Sequence, residues 1–473
     1  MGKLVKFLNL LIFYLILFLF AFIPLYPKFP LINISGTFVA IRIEDIVIAL
    51  VVSLWGFHIV FSKHLKSILE DKVNKALILF FFIGLISTFS AIFLTHSVIS
   101  HISILHFLRR IEFMILLPVV ATVVNSKKRF IWVLSVLGLT ILSVNIYGLG
   151  QLYLNWPVIS TTNSEFSKGL ILRLASGARV NSTFAGHYDL AVFLAMMITL
   201  LTGLFFAVRN SLRVVVFVLG GLSLMILIFT AARQSFIAGF IGLILALIFS
   251  RKKKYIFLFL ILAIGILIYP NQLRDRFVST FTINVLNLGT RYEGKTEDQQ
   301  IRSKLNIPTL AIKTSSESAQ TSTFATGSGT VATDITPGEP IDTTQLGVYR
   351  SFQIRLQIEW PRAIAAFWKN PFLGTGYSSI EIATDNDFLR SIGEVGILGT
   401  SAMVLILISV GRKLFICLKY ENKLIRYFSA GVLAMLFAFI INGLFIDVFE
   451  ASKVASLFWM ILGLNLAVMK FNK

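Results

Sequence analysis

Four stretches of this chain carry chemically capable side chains where lipid would exclude them. Arg233 lies in "LIFTAARQSFIAGFIGLIL", at a turn between two apolar segments. Arg355 precedes Trp360 in "RSFQIRLQIEWPRAIAAFWKNPFLGTGYSS". "RVNSTFAGHYDLAVFLA" (179–195) holds Arg179, Asn181, His187 and Asp189. "ATDNDFLRSIGEVGILG" (383–399) opens with Asp385, Asn386 and Asp387, carries Arg390 and Glu394, and turns apolar from Val395. Ionisable residues inside a membrane are expensive, so each is a functional candidate.

Each residue has a sharp and a bland reading. A fixed guanidinium at Arg233 would clamp an anionic substrate bidentately; the alternative is an interfacial arginine whose head reaches lipid phosphate. Arg355, taken alone, reads as a solvated or headgroup-contacting surface arginine. His187 is either a base facing an outer cavity or a structural hydrogen-bonding group at a helix end. A further set comprises Arg42, Glu44 and Asp45 in "AIRIEDIVI", with Arg109, Arg110 and Glu112 in "LHFLRRIEFMILL". Opposite charges are available locally, which points to intramembrane ion pairs.

The elements that must position these groups follow from composition. Of 473 residues, 56% are hydrophobic and only 14% charged, whereas a soluble domain is roughly 45–50% apolar and about 25% charged. The apolar residues come in blocks of the ~20 residues a bilayer requires. The reading is an all-α polytopic membrane protein of about 12 transmembrane helices. The spans fall near 8–26, 40–61, 76–94, 102–124, 130–152, 185–208, 214–230, 234–250, 255–269, 389–411, 427–446 and 454–469. The basic, apolar start "MGKLVKFLNLLIFYLILFLFAFIPLY" has too long an apolar run for a cleaved signal and lacks a small-x-small site, so it reads as a retained first span.

The loops alternate in charge. Lys3 and Lys6, the lysines at 63–75, "KKR" at 127–129, Arg209 and Arg213, "RKKK" at 251–254, and the basic residues at 412–426 and 470–473 fall on one side. Short opposite loops such as "THSVIS" (95–100) and "DVFEAS" (447–452) lack Lys and Arg. The positive-inside rule puts both termini in the cytoplasm. The formal charge of +20 is then topological, and nucleic-acid binding is excluded for want of a basic soluble module. One cysteine, Cys417, permits no internal disulfide. Neither a Walker loop, a dinucleotide loop nor an internal repeat is present.

Three regions result: an N-terminal bundle of about nine spans (1–269), a large extracytoplasmic loop (270–388), and a C-terminal bundle of about three spans (389–473). In the loop, the Ser/Thr/Gly-rich stretch near 314–345 reads as disordered. Apolar residues at helical spacing predict an interfacial amphipathic helix near 350–368, broken by Asn370-Pro371 and Gly374-Thr-Gly376.

Three stretches together resemble the O-antigen ligase and O-antigen polymerase superfamily of bacterial membrane glycosyltransferases. The segment from Arg350 to Ser379 is similar to the family's arginine–tryptophan–"nP-l-G-G" pattern in its large outer loop. "DNDFLRSIGEVGILG" resembles the segment closing that loop, usually His-Asn, a leucine, then Glu-x-Gly-x-x-Gly. "TAARQSFIAGFIGL" is similar to the family's Ser-Arg turn. Span count, topology and loop placement extend the likeness over most of the chain.

The resemblance implies a GT-C-like, metal-independent transferase at the outer face of the bacterial cytoplasmic membrane, needing no cofactor. Its donor would be a glycan on undecaprenyl diphosphate, and its acceptor a glycan, lipid or protein-borne hydroxyl. Arg233 and Arg355 would grip the diphosphate, with Asp385 as third catalytic residue. Asn386, Asp387, Arg179 and His187, with Gly374, Gly376 and Glu394, would bind substrate. One departure stands out. Where the ligases have a catalytic histidine this chain has Asp385, and all six histidines precede residue 188. Asp385 is then a replacement base, an acceptor-orienting group, or a helix cap. Glu394 would pair with Arg390 or a catalytic arginine, and glycines 393, 396 and 399 would allow close helix packing. The rival reading is a lipid-linked glycan flippase or other polysaccharide transporter. A structural or sensor membrane protein is a third.

Overall fold

The computed structural model describes residues 2–34, 40–62, 65–159, 171–172, 174, 178–282, 354–380 and 383–472. Apolar segments in lipid must satisfy their own backbone hydrogen bonds, and helices do so internally. Each of the twelve expected segments is helical. They are α1 (Gly2–Leu25), α2 (Ile43–Ser62), α4 (Lys72–Phe89), α5 (Ser100–Val123), α6 (Lys127–Tyr153), α7 (His187–Ala207), α8 (Asn210–Phe229), α9 (Arg233–Phe249), α10 (Ile256–Ile268), α13 (Asp387–Cys417), α14 (Lys423–Asn442) and α15 (Ser452–Val468). Between them lie the short α3 (Leu65–Glu70), α11 (Gln272–Thr282) and α12 (Trp360–Lys369). Two two-residue hairpins pair Ile32–Asn33 with Ala40–Ile41 and Val158–Ile159 with Ile171–Leu172.

Among the described residues nine helices are long and apolar enough to cross a membrane. This is an all-α, multi-pass membrane protein. Three of the twelve helices fall short. Helix α5 carries Arg109, Arg110 and Glu112, α9 has 17 residues, and α10 reaches span length only with α11, from which it is bent by 87°.

The N- and C-terminal helices share one hydrophobic core. Helix α15 is buried along nearly its whole length and packs on α5, α14 packs on α7 and α9, and α13 packs on α4. Peripheral α8 and α10 instead turn Val214, Phe217, Phe257 and Ile268 outward, as lipid-facing helices do. The expected interfacial helix is described from Ile354 onward, residues 350–353 lying outside the described residues. A single π turn over Arg355–Glu359 precedes α12, whose Ala363 and Ala366 are buried against α13 while Trp368 is exposed. The stretch 314–345 lies outside the described residues.

Candidate functional site

The start of α13 is built by a second segment, the turn 443–450 between α14 and α15. Asn386 caps α13, its Oδ1 accepting from the amides of Phe388 (3.1 Å) and Leu389 (3.0 Å), while Nδ2 donates to the Leu444 carbonyl. Asp387 is buried and accepts from the amides of Val448 (2.8 Å) and Phe449 (3.2 Å). Asp447 answers from the other side, accepting from the amides of Thr384 and Asn386 and from Arg390 Nη1 at 2.8 Å. Arg390 also pairs with Glu394 at 3.3 Å, which in turn accepts from the Ser378 amide. Much of the acidic run thus secures backbone, and the helix cap falls to Asn386 rather than Asp385.

Gly396, at φ +65°, breaks α13. The break frees the carbonyls of Gly393 and Glu394, which accept from the amides of Thr375 and Gly376 at 2.9 Å each. In return the amides of Ile397 and Leu398 donate to Pro371 and Phe372. The loop carrying Gly374 and Gly376, both at positive φ, is therefore stitched to α13 as strands are in a ladder. Of the three glycines expected to pack helices closely, Gly393 does so, with Ala363 and Ile380 against it. Gly396 instead serves the break.

Against this frame stand Arg355, Asp385 and Glu359. Arg355 is buried and donates through Nε (2.9 Å) and Nη2 (2.7 Å) to one oxygen, Oδ2 of Asp385. Asp385 has φ +49° and keeps a third of its side chain exposed. Burial holds its carboxyl above the ordinary range, with Arg355 opposing. One turn from Arg355, Glu359 keeps a buried Oε2 with no hydrogen-bond partner among the described residues. Burial and the neighbouring Asp385 charge push the Glu359 carboxyl up to about 7.

Arg233 opens α9 and is buried. It donates to the Arg276 carbonyl (3.2 Å) and to the Thr280 hydroxyl of α11. The charges of Arg276, Arg355 and Arg179 all act on it. Arg179 hydrogen bonds His187 through Nη1 and Nε2 at 2.9 Å. The structure thus gathers Arg233, Arg355, Arg179, His187 and Asp385 at one end of the bundle, while Asn386, Asp387, Glu394, Gly374 and Gly376 build the wall behind them. Arg276, Glu359 and Asp447 escaped the sequence reading. Arg276 had a signal: Leu273, Arg276 and Ser279 are the buried face of α11 at helical spacing. Glu359 had none, since what distinguishes it is the approach of Asp385.

The expected intramembrane ion pairs divide. Arg109 reaches Asp45 at 3.3 Å. Arg110 leaves that group for Glu394 of α13 and for Glu450 and the Phe449 carbonyl of the turn 443–450. Asp189 pairs with Lys28 at 3.3 Å. Among the described residues no group of three His, Cys, Asp or Glu side chains is placed to hold a metal ion.

No protein-family model matches the chain, and no curated protein does.

Proposed function

We propose that this chain is a membrane glycosyltransferase of the O-antigen ligase and polymerase type. In this reading it crosses the bacterial cytoplasmic membrane twelve times with both termini inside. It transfers a glycan from undecaprenyl diphosphate to a glycan, lipid or protein acceptor at the outer face. The observation that carries the reading is the convergence of Arg233, Arg276, Arg355 and Arg179 beside Asp385 and Glu359. Four guanidinium groups in a mostly buried setting repel one another. That cost is sensible where a dianionic group is to be bound, and a diphosphate matches their fork geometry.

The chemistry balances with these groups. The acceptor hydroxyl oxygen attacks the anomeric carbon. The bond from that carbon to the diphosphate oxygen breaks, and the electron pair leaves with the diphosphate, whose growing charge the arginines stabilise. The hydroxyl proton goes to a carboxylate. Glu359 suits that task, since a base near neutrality balances availability against driving force; Asp385 then holds Arg355 in line.

The test is purified protein in detergent with undecaprenyl-diphosphate oligosaccharide, products resolved on a gel. A ladder or a shifted acceptor, lost in Arg233→Ala and Arg355→Ala, supports the reading. Absence of product, together with movement of labelled lipid across liposome bilayers, would replace it with the flippase.

A further inference from the structure

The opposite end of the bundle holds a cavity that the proposed reaction does not use. It measures about 910 Å³ and lies among the first turns of α1, α4 and α6 and the last turns of α2, α5, α13 and α15. Helix α13 starts beside Asp385 and brings Lys413 to this cavity near its far end, on the order of 40 Å away at 1.5 Å per residue.

The lining is divided by chemistry. Lys6, Arg129, Lys413 and Lys470 stand on it against one carboxylate, Asp71, which Lys413 engages. Lys470 donates to the Ala121 carbonyl at 2.8 Å. Arg129 donates to the Asn9 side chain and to the Val123 carbonyl (2.7 Å), and its guanidinium lies over Phe13. These contacts orient the cations without exhausting them, since an ammonium has three donors and a guanidinium five. Leu10, Ile59, Ile68, Leu117 and Leu466 supply apolar wall.

A topological excess of lysine would place charge at the membrane surface without gathering it around a space between helices. Here the cations line a half-open space between helix ends, and it is far larger than one phosphate ion would fill. Cationic rim and apolar wall together suit an amphiphile, and basic pockets between membrane helices bind anionic headgroups. We propose that this cavity binds an anionic phospholipid, one whose headgroup leaves the phosphate charge unneutralised. Its phosphate is held by Lys6, Arg129 and Lys470, and its acyl chain lies along Leu10, Leu117 and Leu466.

Native mass spectrometry of the full chain, with phosphatidylglycerol, phosphatidylcholine or inorganic phosphate added, tests this. Phosphatidylglycerol is expected to be retained preferentially and to raise the melting temperature of wild type, with phosphatidylcholine doing neither. The double variant Lys6→Ala/Lys470→Gln is expected to lose about 30-fold in retention, the effect of two lysines at a headgroup. Leu10→Trp, which fills the wall without touching a charge, is expected to lose it too. Equal retention of the two lipids by wild type overturns the proposal whether or not the variants fold. So does undiminished retention in folded variants, or inorganic phosphate stabilising the protein as fully as the lipid does.

Discussion

Arg355 sends two N–H groups, from Nε and Nη2, to the same oxygen of Asp385. The carboxylate aims a guanidinium and leaves its own remaining edge toward the open side. Arg355→Ala is expected to lower kcat by roughly 10²–10³, the cost of removing one preorganised charge-stabilising group. Arg355→Lys should restore only part of it, because an ammonium is a point charge and not a fork. Gel-resolved transfer rates check both, and full rescue by lysine would refute a role for the fork.

Arg276 should behave as a partner of Arg233. Its carbonyl accepts from Arg233 and its charge acts on the same guanidinium. Arg276→Ala is expected to weaken donor binding, and the double variant with Arg233→Ala should lose less than the sum of the two, as coupled neighbours do. Donor titrations of the four proteins measure the coupling, and strict additivity would separate the two residues.

Glu359 sets a pH dependence. As the base it must be ionised, so transfer should rise as pH climbs through about 7. Glu359→Gln should lower the rate and remove that inflection. Stability runs the other way. Its folded pKa lies above the unfolded value, so the native state binds more protons between about 4.5 and about 7. The contribution of Glu359 is therefore fully present below the unfolded value and is lost as pH rises through about 7. Melting curves of wild type and Glu359→Gln across that range show whether the loss belongs to this residue.

Asp447 holds Arg390 and two backbone amides in a buried setting. Asp447→Ala leaves a buried guanidinium short of its partner and is expected to cost about 3–5 kcal/mol. Thermal unfolding in detergent measures it, and a loss within experimental error would mean Glu394 and Glu450 compensate fully.

Gly396→Ala would place a methyl group 2.4 Å from the Phe372 carbonyl at positive φ. The strain is about 1–3 kcal/mol, and the loop 370–376 should detach from α13. Faster proteolysis of that loop, with transfer falling in parallel, is the expected result.

The membrane architecture was legible in the chain itself. Apolar runs of span length have few ways to satisfy their backbone in lipid except as helices; all twelve segments are helical, and nine of the described helices are long and apolar enough to cross a membrane. Arg233, Arg355 and the 383–399 stretch were legible as anomalies, polar residues whose cost demands a reason. What each one does was not. Asp385, Asn386 and Asp387 are near-equivalents in the sequence, yet one faces Arg355, one caps a helix and one is sealed under Val448 and Phe449.

That division depends on the turn at 443–450 arriving from two helices later. Its backbone amides capture Asp387 and its Asp447 carboxylate captures Arg390, which leaves Asp385 to Arg355. Glu359 likewise becomes a carboxyl near neutrality only because Asp385 and burial reach it through space. Hydrophobic length is written locally, so the sequence by itself determined the helices and the positions worth suspecting. Electrostatic environment is the sum of what distant segments bring together, so only the tertiary structure decided which suspects build the site and which face into it.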